Sequence, residues 1–325
     1  MKISCCLQVA FCCISAALVS TPVHAQDNTY PSRSVRMVVP FPAGQATDIN
    51  ARLLADRLSK LWGQAVYVDN RGGGAGIPGM MAGLAAAADG YTITFGSSST
   101  TVVNAGLYPD LPYSLDDFTP LAPVFSQGWL VLAHPDTPYK NWGDVVDAAQ
   151  KDPGKLEWGH GATALQLASN LLKKSADIDI LSVNYKGSAA TINDLAGGHI
   201  KLAVETIAAS LPQIEAGRIK AIANLSDKRS VLLPEVPTIA EQGYPGFHAN
   251  GWGGLFVPKG TPTEIITKIS HDVHQILLDP EIQKSIAAQG SEADLRSREE
   301  WTTFIDQEKE KWASAIKEAG IQASQ

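Results

Sequence analysis

Short apolar runs that alternate with helical stretches set the strongest limit on what this chain can become. Residues 35–39 are followed by a helical stretch at 48–61, residues 65–68 by another at 80–88, and residues 91–95 close the series. Strands in a β-α-β-α-β order bury both faces by forming a parallel sheet covered with helices. Leu53, Leu54, Leu58 and Leu61 recur at helical spacing with Asp56, Arg57 and Lys60 between them, so that helix lays one face on the sheet. A Pro-rich stretch at 107–124 reads as irregular and interrupts the rhythm, which resumes with strands at 129–133, 156–158, 178–183, 201–204 and 219–223. A second irregular zone at 233–246 precedes a strand at 252–257 and a helical tail over 262–319. With 325 residues there is material for two α/β lobes, and the two interruptions predict that the chain crosses between them twice.

The first residues differ in kind. Lys2, an apolar run over 3–19 and a polar end at Val23, His24 and Ala25 predict a secretory signal peptide cleaved after Ala25, and hence a periplasmic protein. All four cysteines, Cys5, Cys6, Cys12 and Cys13, fall inside it. The mature chain is therefore expected without disulfides, thiolate ligands or a cysteine nucleophile. A formal charge of -7 excludes the basic stripe that a nucleic-acid partner requires.

Several strand ends run into loops of small residues before the next helix: 40–47, 70–79, 96–101, 159–163 and 185–188. In open α/β sheets these are the loops that present backbone N–H groups and helix N-termini to an anion. Gly74, Gly76 and Gly79 spell G-x-G-x-x-G, but the strand that follows ends in Gly-Ser-Ser-Ser where a dinucleotide site needs an acidic residue. No G-x-S-x-G elbow occurs, so no catalytic residue is assigned. His271 and His274 lie three apart with no third ligand, which makes a solvated helix face the expectation and a metal site not. His160, within Gly-His-Gly, sits in a candidate cleft loop. In the tail, Ser297 and Glu300 form a capping box, and Trp301, Phe304, Ile305, Trp312 and Ile316 make an amphipathic core stripe.

The phrases YPSRSVRMVVPFPAG, ATDINARLLADRL, GQAVYVDNRGGGAGIPG, NYKGSAATINDLAGGHIKLAVE, LPEVPTIAEQGYPGF and WGGLFVPKGTP, in this order, cover most of the mature chain. Together they resemble the Bug receptors, the extracytoplasmic solute-binding proteins of tripartite tricarboxylate transporters. The resemblance implies a two-lobe periplasmic binding protein fold of type II, each lobe a mixed, mainly parallel sheet flanked by helices. It implies one lobe from 26–125 plus 247–325 and a second from 126–246, with hinge crossings near 121–127 and 240–252. The glycine motif then reads as a tight turn into the second helix.

The resemblance also implies a ligand pinched, largely through backbone groups and ordered water, between Phe41, Ala43, Gly44, Asp48, Ser97 and Ser98 on one side and Gly159, Gly161, Thr163, Tyr185 and Lys186 on the other, with His160 added from its place in the cleft loop. Glu205 stands where the family often has an aspartate at the ligand's far end. Gln45, Gln166 and Asn184 are further departures. The implied ligand is a small organic carboxylate: a dicarboxylate, an amino acid or an aromatic acid. The implied partners are the membrane subunits of a tripartite transporter, with no cofactor and a monomeric receptor. A membrane sensor kinase as the recipient, and an exported enzyme on the same scaffold, are the alternatives.

Overall fold

The computed structural model of the protein describes residues 30–319; the predicted signal segment with its cysteines lies outside them. In chain order the first part holds β1 (Val35–Val39), α1 (Ala46–Trp62), β2 (Val66–Asn70), α2 (Ile77–Leu84), β3 (Thr92–Ser97), α3 (Asn104–Leu107) and β4 (Phe118–Gln127). The middle holds β5 (Trp129–Ala133), α4 (Trp142–Lys151), β6 (Glu157–His160), α5 (Thr163–Ala176), β7 (Leu181–Asn184), α6 (Ser188–Ala196), β8 (Leu202–Thr206), α7 (Ile207–Glu215) and β9 (Lys220–Asn224). The last part holds β10 (Gly251–Pro258), α8 (Thr263–Leu277), α9 (Pro280–Ala287), β11 (Glu292–Ala293) and α10 (Arg298–Ala319).

These strands form two sheets, ordered β11-β4-β10-β3-β1-β2 and β7-β6-β8-β5-β9. Both are mixed, with most strands running one way. In the first, β2, β1 and β3 are parallel, and β10 enters antiparallel between β3 and β4. In the second, β7, β6 and β8 are parallel, and β5 enters antiparallel between β8 and β9.

Register fixes how the sheets face each other. Gly251 pairs with Gln127 and Gly253 with Ser97, so β1, β3 and β4 end where β4 leaves the first sheet. Gly128 alone separates β4 from β5, and Trp129 pairs with Thr206, so β6, β7 and β8 end where β5 enters the second sheet. The carboxyl ends of both parallel sets therefore turn toward one joint. A Cβ at Gly128 would lie 2.5 Å from the tip of the Ile207 side chain, so α7 packs directly on the joint.

The stretch expected to be irregular at 107–124 contains β4, a ten-residue strand. Its pairing with β10 slips twice, and Pro123 and Pro120 stand at the two slips. Proline donates nothing to a sheet ladder and fits a strand where pairing is already broken. Read as a breaker, proline conceals the strand. The glycine motif packs instead of opening: a Cβ at Gly79 would lie 2.6 Å from Pro40 Cα, and one at Gly76 2.6 Å from the Thr100 side chain. With Gly74 and Gly76 at φ +49° and +78°, this is a tight turn pressed on the loop after β1.

The tail stripe is core: Trp301, Phe304, Ile305, Trp312 and Ile316 are all buried. Trp301 meets Trp252 of β10 edge-on at 5.1 Å, and Trp312 meets Trp129 of β5 at 6.2 Å, so α10 touches both sheets. The capping box forms as the sequence predicts, with Ser297 N donating to Glu300 at 2.8 Å and Glu300 N to Ser297 Oγ at 3.2 Å.

Glu308, fully buried on α10, accepts hydrogen bonds from the indoles of Trp252 and Trp312, both at 2.8 Å, and pairs with Lys311 and with His248. Burial alone would raise its carboxyl; His248, Lys311 and Trp252 outweigh it and hold the group down to about 2. A depressed carboxyl stabilises the fold above its unfolded pKa of about 4.3, and this is lost as pH falls toward the folded value. Glu308→Gln is expected to cost about 3–5 kcal/mol at neutral pH, the range for breaking a buried pair. In urea melts across acid pH, that cost should shrink as pH falls below the unfolded carboxyl range.

Candidate functional site

At the end of β1 the chain turns through Phe41, Ala43 and Gly44 into α1, with Ala43 and Gly44 exposed and Gly44 at φ +86°. Asp48, 2% exposed, secures this turn from within the helix. One carboxylate oxygen accepts from Gly44 N at 2.8 Å and Arg52 Nε at 3.0 Å, and the other from Asn70 Nδ2 at 2.8 Å. Asn70 also donates to Phe41 O at 3.1 Å. The side chains face inward and brace a loop whose tip is backbone.

The loop after β3 is a polar knot. Ser97 and Ser98 are buried, Ser97 N donates to Thr100 Oγ1 at 3.0 Å, and Ser98 N donates to Trp252 O at 3.1 Å. Val103 N reaches back to Ser98 O at 3.0 Å, closing a π-helical turn over Ser99–Val103 of a kind common at functional sites. Asn104 Nδ2 ties this turn to Ala75 O of the glycine loop at 2.9 Å, and Tyr113 donates to Thr100 O. Sequence reasoning singled out neither Asn104 nor Tyr113. The available signal was the polar Asn104 after an apolar Val-Val pair.

On the second sheet, Gly159 and His160 at the end of β6 face opposite sides, as strand alternation requires. A Cβ at Gly159 would meet Ile200, Thr191 and Tyr185 on the α6 side. His160, 1% exposed, lies on the other side, edge-on to Trp158 at 5.8 Å, with neither ring nitrogen hydrogen-bonded among the described residues. Burial and the Lys173 charge push it down to about 4, so the ring is neutral near pH 7. Tyr185 turns back to donate to Asp194 at 2.9 Å, and burial together with that carboxylate pushes its phenol up to about 12. Lys186 and Thr163 remain exposed.

Glu205 lies beneath both loops of this sheet. It is fully buried, and a Cβ on Gly161 would come within 2.5 Å of its Oε1 and within 2.5 Å of Ser188 N. Only glycine permits the loop after β6 to cross here. Neither Glu205 oxygen has a hydrogen-bond partner of good geometry among the described residues. Burial pushes the carboxyl up, opposed by the Ser188 and Thr191 hydroxyls and the Gly161 and Thr206 amides around it.

Three helices start at this joint without a cap from their own side chains: α1 after Gln45, α5 after Ala162 and α6 after Gly187. By contrast Asn141, Thr206 and Asp279 cap α4, α7 and α9. An uncapped N-terminus leaves first-turn N–H groups and a positive dipole end for an outside acceptor. Among the described residues, no group of three or more histidines, cysteines or acids is placed to hold a metal ion. The arrangement is suited to holding an oxyanion by backbone donors.

Residues 50–321 match the model of the tripartite tricarboxylate transporter family receptor. Protein BugT of Bordetella pertussis is 34% identical over 311 residues, 94% of this chain and 95% of its own. A solved structure of Rpa4515 from R. palustris with adipate is 33% identical, with a TM-score of 0.70 over 90% of this chain and 99% of that one. MatC from Rhodopseudomonas palustris, solved with bound malate, is 28% identical, with a TM-score of 0.65 over 88% and 100%.

Asp48 and Glu205 are expected to titrate in opposite senses. Burial alone would raise Asp48; its bonds to Arg52, Gly44 and Asn70 outweigh that and hold it low, so its contribution is present at neutral pH and lost in acid. Asp48→Ala should cost about 1–3 kcal/mol at neutral pH. Its effect should fade in acid, and exchange of the Gly44 amide should quicken in hydrogen-exchange NMR. The raised Glu205 carboxyl is most compatible with folding below its unfolded pKa and penalises the fold as pH rises through its folded value. Glu205→Gln should therefore raise the thermal midpoint at neutral pH, a gain that disappears in acid.

Proposed function

The chain belongs to the tripartite tricarboxylate transporter receptor family, and on that premise we propose that it captures a small organic carboxylate by closure of its two lobes and delivers it to a transporter of that type. The observation that carries this reading is the joint itself. The uncapped starts of α1, α5 and α6 follow strands whose carboxyl ends turn toward the same crossing. A carboxylate entering there meets N–H donors from both sheets and needs no fixed cation. Two relatives solved with adipate and with malate support a carboxylate as the ligand class.

In this reading the lobes are 26–125 with 247–325, and 126–246, with crossings near 121–127 and 240–252; because β4 stays in the first sheet through Gln127, the first crossing falls one residue later, at Gly128. Phe41, Ala43, Gly44, Ser97 and Ser98 hold one side of the ligand, and Gly159, Gly161, Thr163, Tyr185 and Lys186 the other. His160 acts from behind the β6 loop through its packing. Asp48 and Glu205 act as positioning residues under the two walls. Glu205, fully buried in this conformation, sets the far-end preference through the loops it supports. The protein works as a periplasmic monomer without a cofactor, no residue is catalytic, and its partners are the membrane subunits of the transporter. Closure matters because a transporter distinguishes a loaded receptor only if the ligand favours one conformation over the other.

Thermal unfolding against malate, adipate, amino acids and benzoate, each paired with its amide, tests the reading. At about 100 times its Kd a ligand stabilises the fold by roughly 2.7 kcal/mol. One acid is expected to raise the midpoint by several degrees while its amide does not. If no acid shifts the midpoint, or if acid and amide shift it equally, carboxylate capture is wrong.

A further inference from the structure

The two walls of the candidate site stand apart: Ala43 and Gly44 on the first, and Thr163 and Lys186 on the second, are exposed to solvent. The lobes nevertheless bond to each other elsewhere. Glu292 of β11 accepts through Oε1 from Ser230 Oγ and from Val231 N, the latter at 3.1 Å. Beside this contact a Cβ at Gly290 would overlap Ala208 Cα and Cβ, so the turn before β11 lies directly on the first turn of α7.

Both halves of the contact are held in place by their own lobe. Ser230 is 3% exposed, its carbonyl and hydroxyl oxygens accept from Leu233 N and Leu232 N, and Leu233 and Val236 sit in the core of the second lobe. On the other half, Glu292 pairs with Ser126 of β4, just before the crossing at Gly128, and Asp294 N donates to Val124 O at 3.1 Å. A second link between the lobes, Lys174 to Glu318 at 2.7 Å, joins two exposed side chains and contributes little.

Sheet order gives the Glu292 contact its leverage. β10, β3, β1 and β2 lie on one side of β4, and β11 lies alone on the other. The loops after β1 and β3 are therefore across the crossing strand from Glu292. A rotation about the crossing that carries these loops toward the second lobe carries Glu292 away from Ser230. A hydrogen bond reaches little beyond about 3.2 Å, so a small rotation breaks both bonds.

On the basis of the lobe closure proposed above, we infer that Glu292 is a clasp that holds the walls apart and thereby sets the affinity of the receptor without touching its ligand. A ligand that binds the closed form has an apparent Kd equal to its intrinsic Kd divided by the closed fraction. Loss of the clasp raises that fraction and lowers Kd by the same factor, about fivefold for bonds of this kind.

Paramagnetic relaxation in NMR is the test, because it registers even a minor closed state. A spin label is placed on Ala189→Cys, exposed at the start of α6, in a protein whose Cys5, Cys6, Cys12 and Cys13 are exchanged for serine, and the Gly44 amide is read. Without any ligand, Glu292→Ala is expected to raise the relaxation of Gly44 about fivefold, and Ser230→Ala to raise it less, since Val231 N still donates. Glu292→Gln keeps an acceptor oxygen and should stay near the unaltered protein, as should Glu318→Gln. An unchanged or lower rate in Glu292→Ala, or an equal rise in Glu292→Gln or Glu318→Gln, overturns the clasp. Should Glu292→Ala not fold, Ser230→Ala decides by the same criterion. Malate and adipate separate the clasp from the closure. A rise in the unaltered protein with either acid, and none in Glu292→Ala without acid, overturns the clasp alone; no rise under any condition overturns the closure with it.

Discussion

A single glycine governs the architecture. Because β4 passes into β5 through Gly128 alone, the second sheet begins where the first leaves off, and the register of each sheet then brings the loops after its parallel strands to that spot. A longer connection would leave the two sheets free to adopt many orientations. One residue, with the Ile207 side chain packed against it, leaves few. The return through Ala249 and Asn250 into β10 adds a second strand beside the first, and Ala249 N bonds to Leu225 O at 2.7 Å on the way.

The chemistry at the joint comes mainly from the backbone, and the side chains nearby do mechanical work. Asp48 grips Gly44, Asn70 grips Phe41, Asn104 grips Ala75, and Glu205 fills the space under Gly161 and Ser188. A site made this way has donors at fixed positions and few charged groups of its own. In the proposed carboxylate site, selectivity would rest on where the loops stand, and substitutions in the layer beneath would retune it without touching the ligand.

Much of this was legible in the sequence because strands and helices leave different periodicities. Nine apolar runs appear as strands, and the α10 stripe from Trp301 to Ile316 is buried as its spacing requires. β4 stayed hidden because Pro120 and Pro123 read as breakers until the slipped register shows where they fit. The side of the sheet that His160 takes was also not legible, since it depends on the parity of a four-residue strand and on which helix covers each face. The phrases shared with the Bug receptors located the loops of the candidate site. They did not disclose that Glu205 is wholly buried, which follows from packing between distant segments, or that the Asp48 carboxylate is occupied by Gly44 four residues before it and by Asn70 of β2.

The edge contact between Trp312 of α10 and Trp129 of β5 has a further meaning. One indole rides on a helix that packs against the first sheet, the other is part of the second, and the Trp312 ring nitrogen is anchored on Glu308. Any rotation between the sheets must slide these rings past each other in a dry environment, where emission energy depends on the local field. The pair would thus report, through its own emission, on the lobe closure proposed above.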